Sequence, residues 1–198
     1  MKIFLVLFTA VILMSCSRED PDPAVTELPF FFVANINGQN LAFGVGEFAG
    51  QNFGNEEYHQ TVTAGPDSLF VFEGTRVFNA LTIPAATATV AVMGVFNHQP
   101  SATERASLID TGYYRYAFSD SSSPAGAVIR FTDGNGVSWS TEGRAQSDTS
   151  FRIQTINPVS AGVAGSSFQA IFNCRLYNSN GDSINLENGS VRGKIINP

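Results

Sequence analysis

Short segments of alternating apolar and polar residues, each ended by an asparagine- or glycine-containing turn, constrain this fold more than any other feature. The segment Phe30–Ile36 has an apolar residue at every second position, so one side of an extended strand is apolar. Asn37-Gly38 follows directly and is the dipeptide most typical of a tight hairpin. Leu41 and Phe43 then resume the alternation. We therefore predict a β-hairpin at this point.

The same combination of alternation and turns recurs along the chain. Asp133–Gly136, Asn178–Gly181 and Asn188-Gly189 are predicted turns, and no long amphipathic helix lies between them. We predict an all-β fold, an antiparallel β-sandwich of about a dozen short strands. A closed β-barrel is the alternative architecture.

The predicted strands share either the alternating pattern or a short apolar run, and they cover 30–36, 41–45, 59–64, 69–73, 80–83, 88–96, 113–119, 127–132, 137–142, 151–156, 167–177, 183–187 and 190–196. The glycine-, asparagine- and phenylalanine-rich stretch 46–56 is predicted as a connection. Ser101 and Glu104 have the spacing of a capping box, which predicts one or two helical turns over 103–108.

Composition limits the class of protein. Hydrophobic residues make up 43% of the 198 residues and charged residues only 14%, so the chain can bury a core and is expected to fold. The formal net charge is -6, and the sequence has only two lysines, Lys2 and Lys194. Because affinity for nucleic acid depends on basic side chains that neutralise phosphates, nucleic acid is not expected as a partner.

The first residues have the pattern of an export signal. Lys2 precedes an apolar run over 3–14 that is too short to span a bilayer, so residues 1–15 are predicted to be a signal peptide. The run ends in Leu13-Met14-Ser15-Cys16, which resembles the lipobox of bacterial lipoproteins. This resemblance implies that Cys16 is acylated and anchors the protein to a membrane through lipid.

Residues 16–27 are predicted to be a flexible tether between the lipidated cysteine and the folded body, because they are acidic and rich in proline. The Ser17–Asp20 run resembles the acidic export signal of surface lipoproteins in the Bacteroidota, which implies an outer-membrane location facing the exterior. The periplasmic face is the alternative. Residues 28–198 are predicted to form a single β-sandwich domain. With Cys16 acylated, Cys174 has no disulfide partner and is predicted to be a buried thiol.

A family resemblance adds to this picture. The stretches 32–38, 151–153 with 163–170, and 184–191 resemble the entry strand, the later Gly-x-x-Phe strand and the terminal Asn-Gly hairpin of uncharacterised Bacteroidota lipoprotein domains. The resemblance implies a secreted, lipid-anchored β domain. It supplies no catalytic residue.

Candidate chemistry is sparse. Glu57 and His59 would share one face of a strand and form a conceivable acid–base pair, although a solvated strand start explains them equally well. The two histidines, His59 and His98, lack the spacing of a metal site, and no Gly-x-Ser-x-Gly motif occurs in the sequence. We expect no catalytic residue, no metal and no cofactor.

Aromatic residues are the better candidates for binding. Phe48 and Phe53 lie in the predicted connection 46–56, and Tyr113 and Arg115 lie on the more polar side of a predicted strand. Trp139 is expected in the core. The expected function is a non-enzymatic binding or assembly module with a protein or glycan partner. A glycan-binding module that presents an aromatic platform is one alternative. A small barrel that holds a hydrophobic ligand in a cavity of at least ~300 Å³ is another.

Overall fold

The computed structural model describes residues 30–45, 53–79, 85–118, 124–147, 150–158 and 166–195. Within these ranges 69% of the residues are in strands and 6% in helices, so the all-β prediction is confirmed. The predicted signal peptide, Cys16, the tether, Phe48 and the strand predicted at 80–83 lie outside the described residues. The described strands are β1 (Phe30–Ile36), β2 (Gln39–Val45), β3 (Phe53–Gly65), β4 (Ser68–Asn79), β5 (Ala86–Phe96), β6 (Gly112–Tyr114), β7 (Gly126–Thr132), β8 (Ser138–Ser140), β9 (Ser150–Pro158), β10 (Ser166–Tyr177) and β11 (Ser183–Ile195).

The strands form one antiparallel sheet that is curled into a half-barrel. Its order is β2-β1-β11-β10-β8-β7-β5-β4-β3, with β9 paired to β10 and β6 paired to β9. Strands β3 and β4 pack against β11, so the two arms of the curled sheet face each other. The facing layers expected of a sandwich are therefore arms of a single hydrogen-bonded sheet.

The β1–β2 hairpin forms as predicted. Asn37 has a φ of 49° and Gly38 a φ of 84°, so both residues of the turn adopt the left-handed conformation. Two successive left-handed residues match the right-handed twist of the flanking strands, which explains why asparagine and glycine occupy this turn. The hairpin reverses the chain at one end of the half-barrel.

The core fills the concave side of the sheet. Phe32, Phe151 and Phe172 are at most 1% exposed. The Phe172 ring lies 5.9 Å from the Phe32 ring and 6.0 Å from the Phe151 ring, measured between centroids. Full burial of one such side chain stabilises the fold by ~1.5–3 kcal/mol. This aromatic stack ties β1, β9 and β10 together.

Cys174 lies beside this stack and is a free, buried thiol, as predicted. Its side chain faces the core with Phe172 and Leu176, because alternate residues of β10 point to the same side. Burial raises the pKa of the Cys174 thiol to about 12, and a hydrogen bond with Tyr116 opposes that rise. The thiol is therefore protonated near neutral pH.

Helix α1 (Ala102–Ala106) begins with the predicted capping box. The Ser101 hydroxyl accepts a hydrogen bond from the Glu104 amide, and the Glu104 carboxylate accepts one from the Ser101 amide. The amide and hydroxyl of Ser101 hold the pKa of Glu104 below its usual value. Helix α1 packs against β4.

The predicted turn at Asn188-Gly189 is wrong. Strand β11 runs through both residues without reversing, and Asn188 has a φ of 51° where the register with β10 shifts. The left-handed residue produces a β-bulge. A Cβ atom at Gly189 would overlap the Phe172 ring, so this glycine is required by packing rather than by a turn.

Several predicted boundaries also differ. Strand β3 begins at Phe53, inside the predicted connection 46–56, because it pairs with β4 along its whole length from Phe53 to Gly65. The strand predicted at 113–119 is reduced to β6 and one isolated bridge at Tyr116. The strand predicted at 137–142 ends at Ser140, where a 3-10 turn over Thr141–Gly143 follows.

Candidate functional site

A recess of about 530 Å³ lies at the end of the half-barrel where the β1–β2 and β7–β8 hairpins turn. We call it the mouth. Its apolar lining is Ile36, Leu41, Phe43, Phe131, Trp139 and Ile184. Four of these, the residues other than the two phenylalanines, are only partly buried although they pack against the core. The mouth is therefore a place where the apolar interior reaches solvent.

Strand register brings the mouth together. Ala88, Phe131 and Trp139 are direct neighbours across β5, β7 and β8, so their side chains point to the same concave side. Ala86, two residues before Ala88 on the same side of β5, lines the mouth. The small alanine side chains leave room that larger residues would fill.

The rim of the mouth is formed by amide side chains and one carboxylate. Asn37 accepts a hydrogen bond from the Asn185 amide at 3.0 Å, and Asn40 accepts one from the Asn35 side chain at 3.0 Å. Asp133 accepts the amides of residues 135 and 137 at 2.9 and 3.0 Å, so its carboxylate is engaged in its own turn. Among the described residues that line the mouth there is no lysine or arginine.

A second recess, of about 580 Å³, crosses the convex side of the same strands. We call it the groove. Cross-strand neighbours form its floor in a row across β4, β5, β7, β8 and β10, namely Arg76, Thr89, Arg130, Ser140 and Tyr177. A second row contains Thr87, Thr132 and Ser138. The floor of the groove is thus mostly hydroxyl groups, with two arginines.

Arg130 organises the centre of the groove. Its guanidinium donates to both carboxylate oxygens of Glu142, at 2.7 and 3.0 Å, and to Tyr58 and Gln60 at 2.7 and 2.8 Å. It also stacks on the Phe72 ring, 4.6 Å from the centroid. Burial alone would lower the pKa of Arg130, but the hydrogen bonds and charge of Glu142 raise it above its ordinary value. Such a bidentate pair holds both side chains in one geometry.

Two further arginine–tyrosine contacts flank the groove. The Arg76 guanidinium lies 5.0 Å from the Tyr58 ring and donates to Glu56 at 2.9 Å. The Arg144 guanidinium lies 5.4 Å from the Tyr177 ring. Stacking of this kind restricts the rotamers of both partners, so the polar groups around the groove are held in fixed positions.

The predicted pairing of Glu57 with His59 does not form. His59 Nδ1 lies 2.7 Å from a carboxylate oxygen of Glu73, and Glu57 instead pairs with Lys194 at 3.3 Å. Glu73, whose side chain is 7% exposed, also accepts from Arg105 Nε at 3.0 Å. This cluster connects α1 to the sheet, and only a pocket of about 100 Å³ adjoins it. A buried carboxylate with two hydrogen-bonded basic partners is satisfied structurally.

The predicted binding residues are scattered. Tyr113 is 76% exposed, and Arg152 lies over its ring at 5.1 Å. Arg115 is exposed and donates to the carbonyl of Ala125 at 3.0 Å. Neither of these two lines the mouth or the groove. Phe48 lies outside the described residues, and of Phe53 only the backbone is described, paired with residue 79.

The glycan-binding alternative requires an exposed aromatic platform, for which Trp139 and the tyrosines between residues 113 and 116 are the candidates. Trp139 packs against the core, as predicted, with one part facing the mouth. Tyr116 is 8% exposed, with its hydroxyl 2.9 Å from the carbonyl of Asn173. Tyr114 is half-buried, and burial raises its pKa. Only Tyr113 of this set presents most of its ring to solvent.

A third recess, of about 440 Å³, lies along β10 and β11, where the core residues Cys174 and Leu186 line it together with polar side chains. Its polar side chains bind one another: Gln146 donates to the Arg175 carbonyl at 2.8 Å, and Arg175 Nε donates to Asn185 at 3.0 Å. This network joins the segment after β8 to the sheet. We therefore interpret this recess as structural.

No cluster of three or more metal-ligating side chains occurs among the described residues. No helix in the described part of the chain has the length and apolar character needed to cross a membrane. No protein-family model, curated protein or solved structure matches the chain. Function has to be inferred from the chemistry of the molecule itself.

Sequence reasoning missed both recesses because each depends on strand register. Thr87 and Thr89 alternate with alanines at the start of β5, and this alternation was a signal that one side of the strand is polar. The alignment of Thr89 with Arg130 and of Arg130 with Ser140 follows only from the pairing of three strands. Such pairing is not specified by the sequence of any one strand.

Proposed function

We propose that this protein is a lipid-anchored lipoprotein of a bacterial outer membrane, exposed at the cell surface, whose folded body is a binding module rather than an enzyme. We further propose that the mouth is its ligand site and that the ligand is an uncharged apolar molecule. The observation that carries the proposal is a recess of about 530 Å³ whose apolar walls are continuous with the core.

The size and lining of the mouth support a small apolar ligand. Ligand sites typically have volumes of about 300–1,000 Å³, are mostly apolar and have a few polar groups at the edge. The mouth combines apolar walls at Trp139, Leu41 and Ile184 with an amide rim at Asn37 and Asn40. A ligand that covers the partly exposed walls would gain about 25 cal/mol for each Å² of apolar surface removed from water.

The charges around the mouth support an uncharged ligand. No basic side chain lines it within the described ranges, and its one carboxylate, Asp133, is hydrogen-bonded in its own turn. An anionic amphiphile would lose hydration at its head group without gaining a cationic partner. The rim amides can instead bond a hydroxyl or a carbonyl.

The sequence before Phe30 supports the anchor. The apolar run over 3–14, the Leu-Met-Ser-Cys motif ending at Cys16 and the acidic run after it are typical of exported lipoproteins. The resemblance to Bacteroidota lipoprotein domains points to the same location. Several acyl chains on one cysteine would anchor the body stably, because each buried methylene contributes ~0.8 kcal/mol.

The anchor is tested by labelling cells with radioactive palmitate and comparing the natural chain with Cys16→Ser. We expect label in the natural protein and none in the variant, with accessibility of the natural protein to protease added outside intact cells. A Cys174→Ser variant is the matched control and should keep its label. Label that persists in Cys16→Ser would refute the anchor.

The ligand site is tested through Trp139, which is the only tryptophan in the sequence. The mature chain, residues 16–198 with Cys16→Ser, is titrated with octanol or octanoate while tryptophan fluorescence is recorded. We expect octanol to shift the emission and octanoate to bind at least about tenfold more weakly, which is ~1.4 kcal/mol.

Two apolar-to-charged variants localise the octanol site. Ile184→Asp places a carboxylate on the wall of the mouth, and we expect it to abolish the response to octanol. Val95→Asp makes the same change at a position on β5 that is 42% exposed and outside the mouth, and it should leave binding unchanged. Equal binding of octanol and octanoate, or equal loss in both variants, would contradict the proposal.

A further inference from the structure

The mouth and the groove meet at one edge of strand β8. Phe131 and Trp139 line both recesses. Strand β8 pairs with β10 only at Ser140 and Tyr177. Ser138 and Trp139 therefore have no partner on β10, and the boundary between the two strands is open beside them. On the other side of this boundary, Ser179 lines the groove and Ile184 lines the mouth. A chain-like molecule can therefore contact both recesses beside Trp139.

The groove has the chemistry of a site for hydroxyl-rich groups. Thr87, Thr132 and Ser138 present hydroxyl groups along its floor, the last two 3.3 Å apart, while the Ser140 hydroxyl is already bonded to Glu142. A hydroxyl group both donates and accepts hydrogen bonds, and so does each hydroxyl of a sugar. Tyr177 adds an aromatic ring at the end of the floor, where an apolar sugar face can pack on the side away from Arg144, whose guanidinium lies 5.4 Å from the ring.

The charges of the groove are compensated before any ligand binds. Arg130 is paired with Glu142, and Arg76 is paired with Glu56. A phosphate or carboxylate head group would have to compete with these carboxylates for the same guanidinium donors. A neutral polyol can bond to the hydroxyl floor and leave both pairs intact.

We propose that the mouth and the groove hold the two parts of one amphiphile, with its apolar chain in the mouth and a neutral, polyhydroxylated head group in the groove. The ligand class is an uncharged glycolipid. This inference rests on the proposed function, because it takes the mouth as the site of the apolar part. The junction beside Trp139 is where the chain joins the head group.

The inference is tested with octyl glucoside, which has the octanol chain and a neutral sugar head group, below its micelle-forming concentration. We expect the mature chain to bind octyl glucoside at least about tenfold more tightly than octanol in the Trp139 fluorescence titration. Tyr177→Ala and Ser138→Glu should reduce octyl glucoside binding to the octanol level and leave octanol binding unchanged.

Tyr113→Ala is the matched control for Tyr177→Ala, since it removes an exposed tyrosine ring that lines neither recess. It should change neither affinity, and circular dichroism should show that all three variants are folded. Octanol binding that is equal to or tighter than octyl glucoside binding would overturn the glycolipid inference and leave the proposed function standing. Binding of neither ligand would overturn both.

Discussion

The concave side of the sheet has two regions built from the same kind of residue, a closed core and an open mouth. In the core, Phe32 and Phe172 are at most 1% exposed, and their ring centroids lie 5.9 Å apart. In the mouth, Trp139 and Ile184 are only partly buried although they pack against the same core. Apolar residues therefore stabilise the fold in the closed core, whereas in the mouth part of their surface faces solvent.

The closed core should dominate stability. Phe172→Ala removes a ring that stacks on two others, and we expect it to lower the free energy of unfolding by ~3–5 kcal/mol. Trp139→Phe in the mouth leaves an aromatic side chain and should cost less than ~1.5 kcal/mol. Urea unfolding followed by circular dichroism measures both. Equal losses would show that the two regions are not distinct.

The reactivity of the Cys174 thiol measures whether solvent reaches the core. Burial raises the pKa of Cys174 to about 12, above its ordinary value of 9.0, so the folded protein holds almost no thiolate at pH 8. We expect modification by a disulfide reagent to be about a thousandfold slower in the folded chain than in urea, because the thiolate is the reactive form.

The same raised pKa has a consequence for stability. Ionisation of Cys174 is favoured in the unfolded chain, so its contribution is fully present below about pH 9 and is lost as pH rises toward 12. A Cys174→Ala variant should show a weaker loss of stability over this interval. Rapid modification of the folded chain at pH 8 would mean that solvent reaches the core.

Substitution of Arg130 on the convex side should lower stability without affecting the mouth on the concave side. Arg130→Ala removes hydrogen bonds to Glu142, Tyr58 and Gln60, and we expect it to destabilise the fold by ~1–3 kcal/mol. Octanol binding in the mouth should be unchanged. Arg130→Lys keeps the charge without the bidentate geometry and should recover only part of the stability, as judged by thermal unfolding.

A substitution that fills the mouth should affect octanol binding more than stability, whereas a core substitution should mainly affect stability. Ala86→Leu adds a larger side chain to the wall of the recess, and we expect octanol binding to weaken by about tenfold, or ~1.4 kcal/mol. Although Ala86 is only 5% exposed, it borders the recess, so the larger side chain should cost no more than about 1 kcal/mol in urea unfolding, the lower end of the usual cost of overpacking. A large loss of stability would mean that the mouth is packed rather than open.

The smallest effect is expected at Tyr113. Its ring is 76% exposed and contacts Arg152, so Tyr113→Ala should change stability by less than ~0.5 kcal/mol. Thermal unfolding measures this directly. A loss greater than ~1 kcal/mol would indicate that the Arg152 contact has a structural role.

Some features of the fold could be predicted from the sequence alone. The Asn37-Gly38 turn and the burial of Cys174 were predictable, because local turn chemistry and period-two alternation determine them. The role of Asn188 was not, since an Asn-Gly pair at a bulge has the same sequence signal as one in a turn.

The candidate sites were less predictable than the strands. His59 was considered with Glu57 as a conceivable acid–base pair, but its partner is Glu73 on the neighbouring strand, and only register makes these two adjacent. Trp139 was predicted to lie in the core, and it packs against the core but is only partly buried. Its second role, as a wall of the mouth, depends on where the β7–β8 hairpin ends relative to Ile36 and Ile184.

Nuclear magnetic resonance titration of the mature chain with octanol is the most direct test of the mouth as a ligand site. We expect saturable shift changes concentrated at Leu41, Trp139 and Ile184, with the core around Phe172 unaffected. Changes that are absent, that do not saturate, or that centre on the Phe172 region would contradict it.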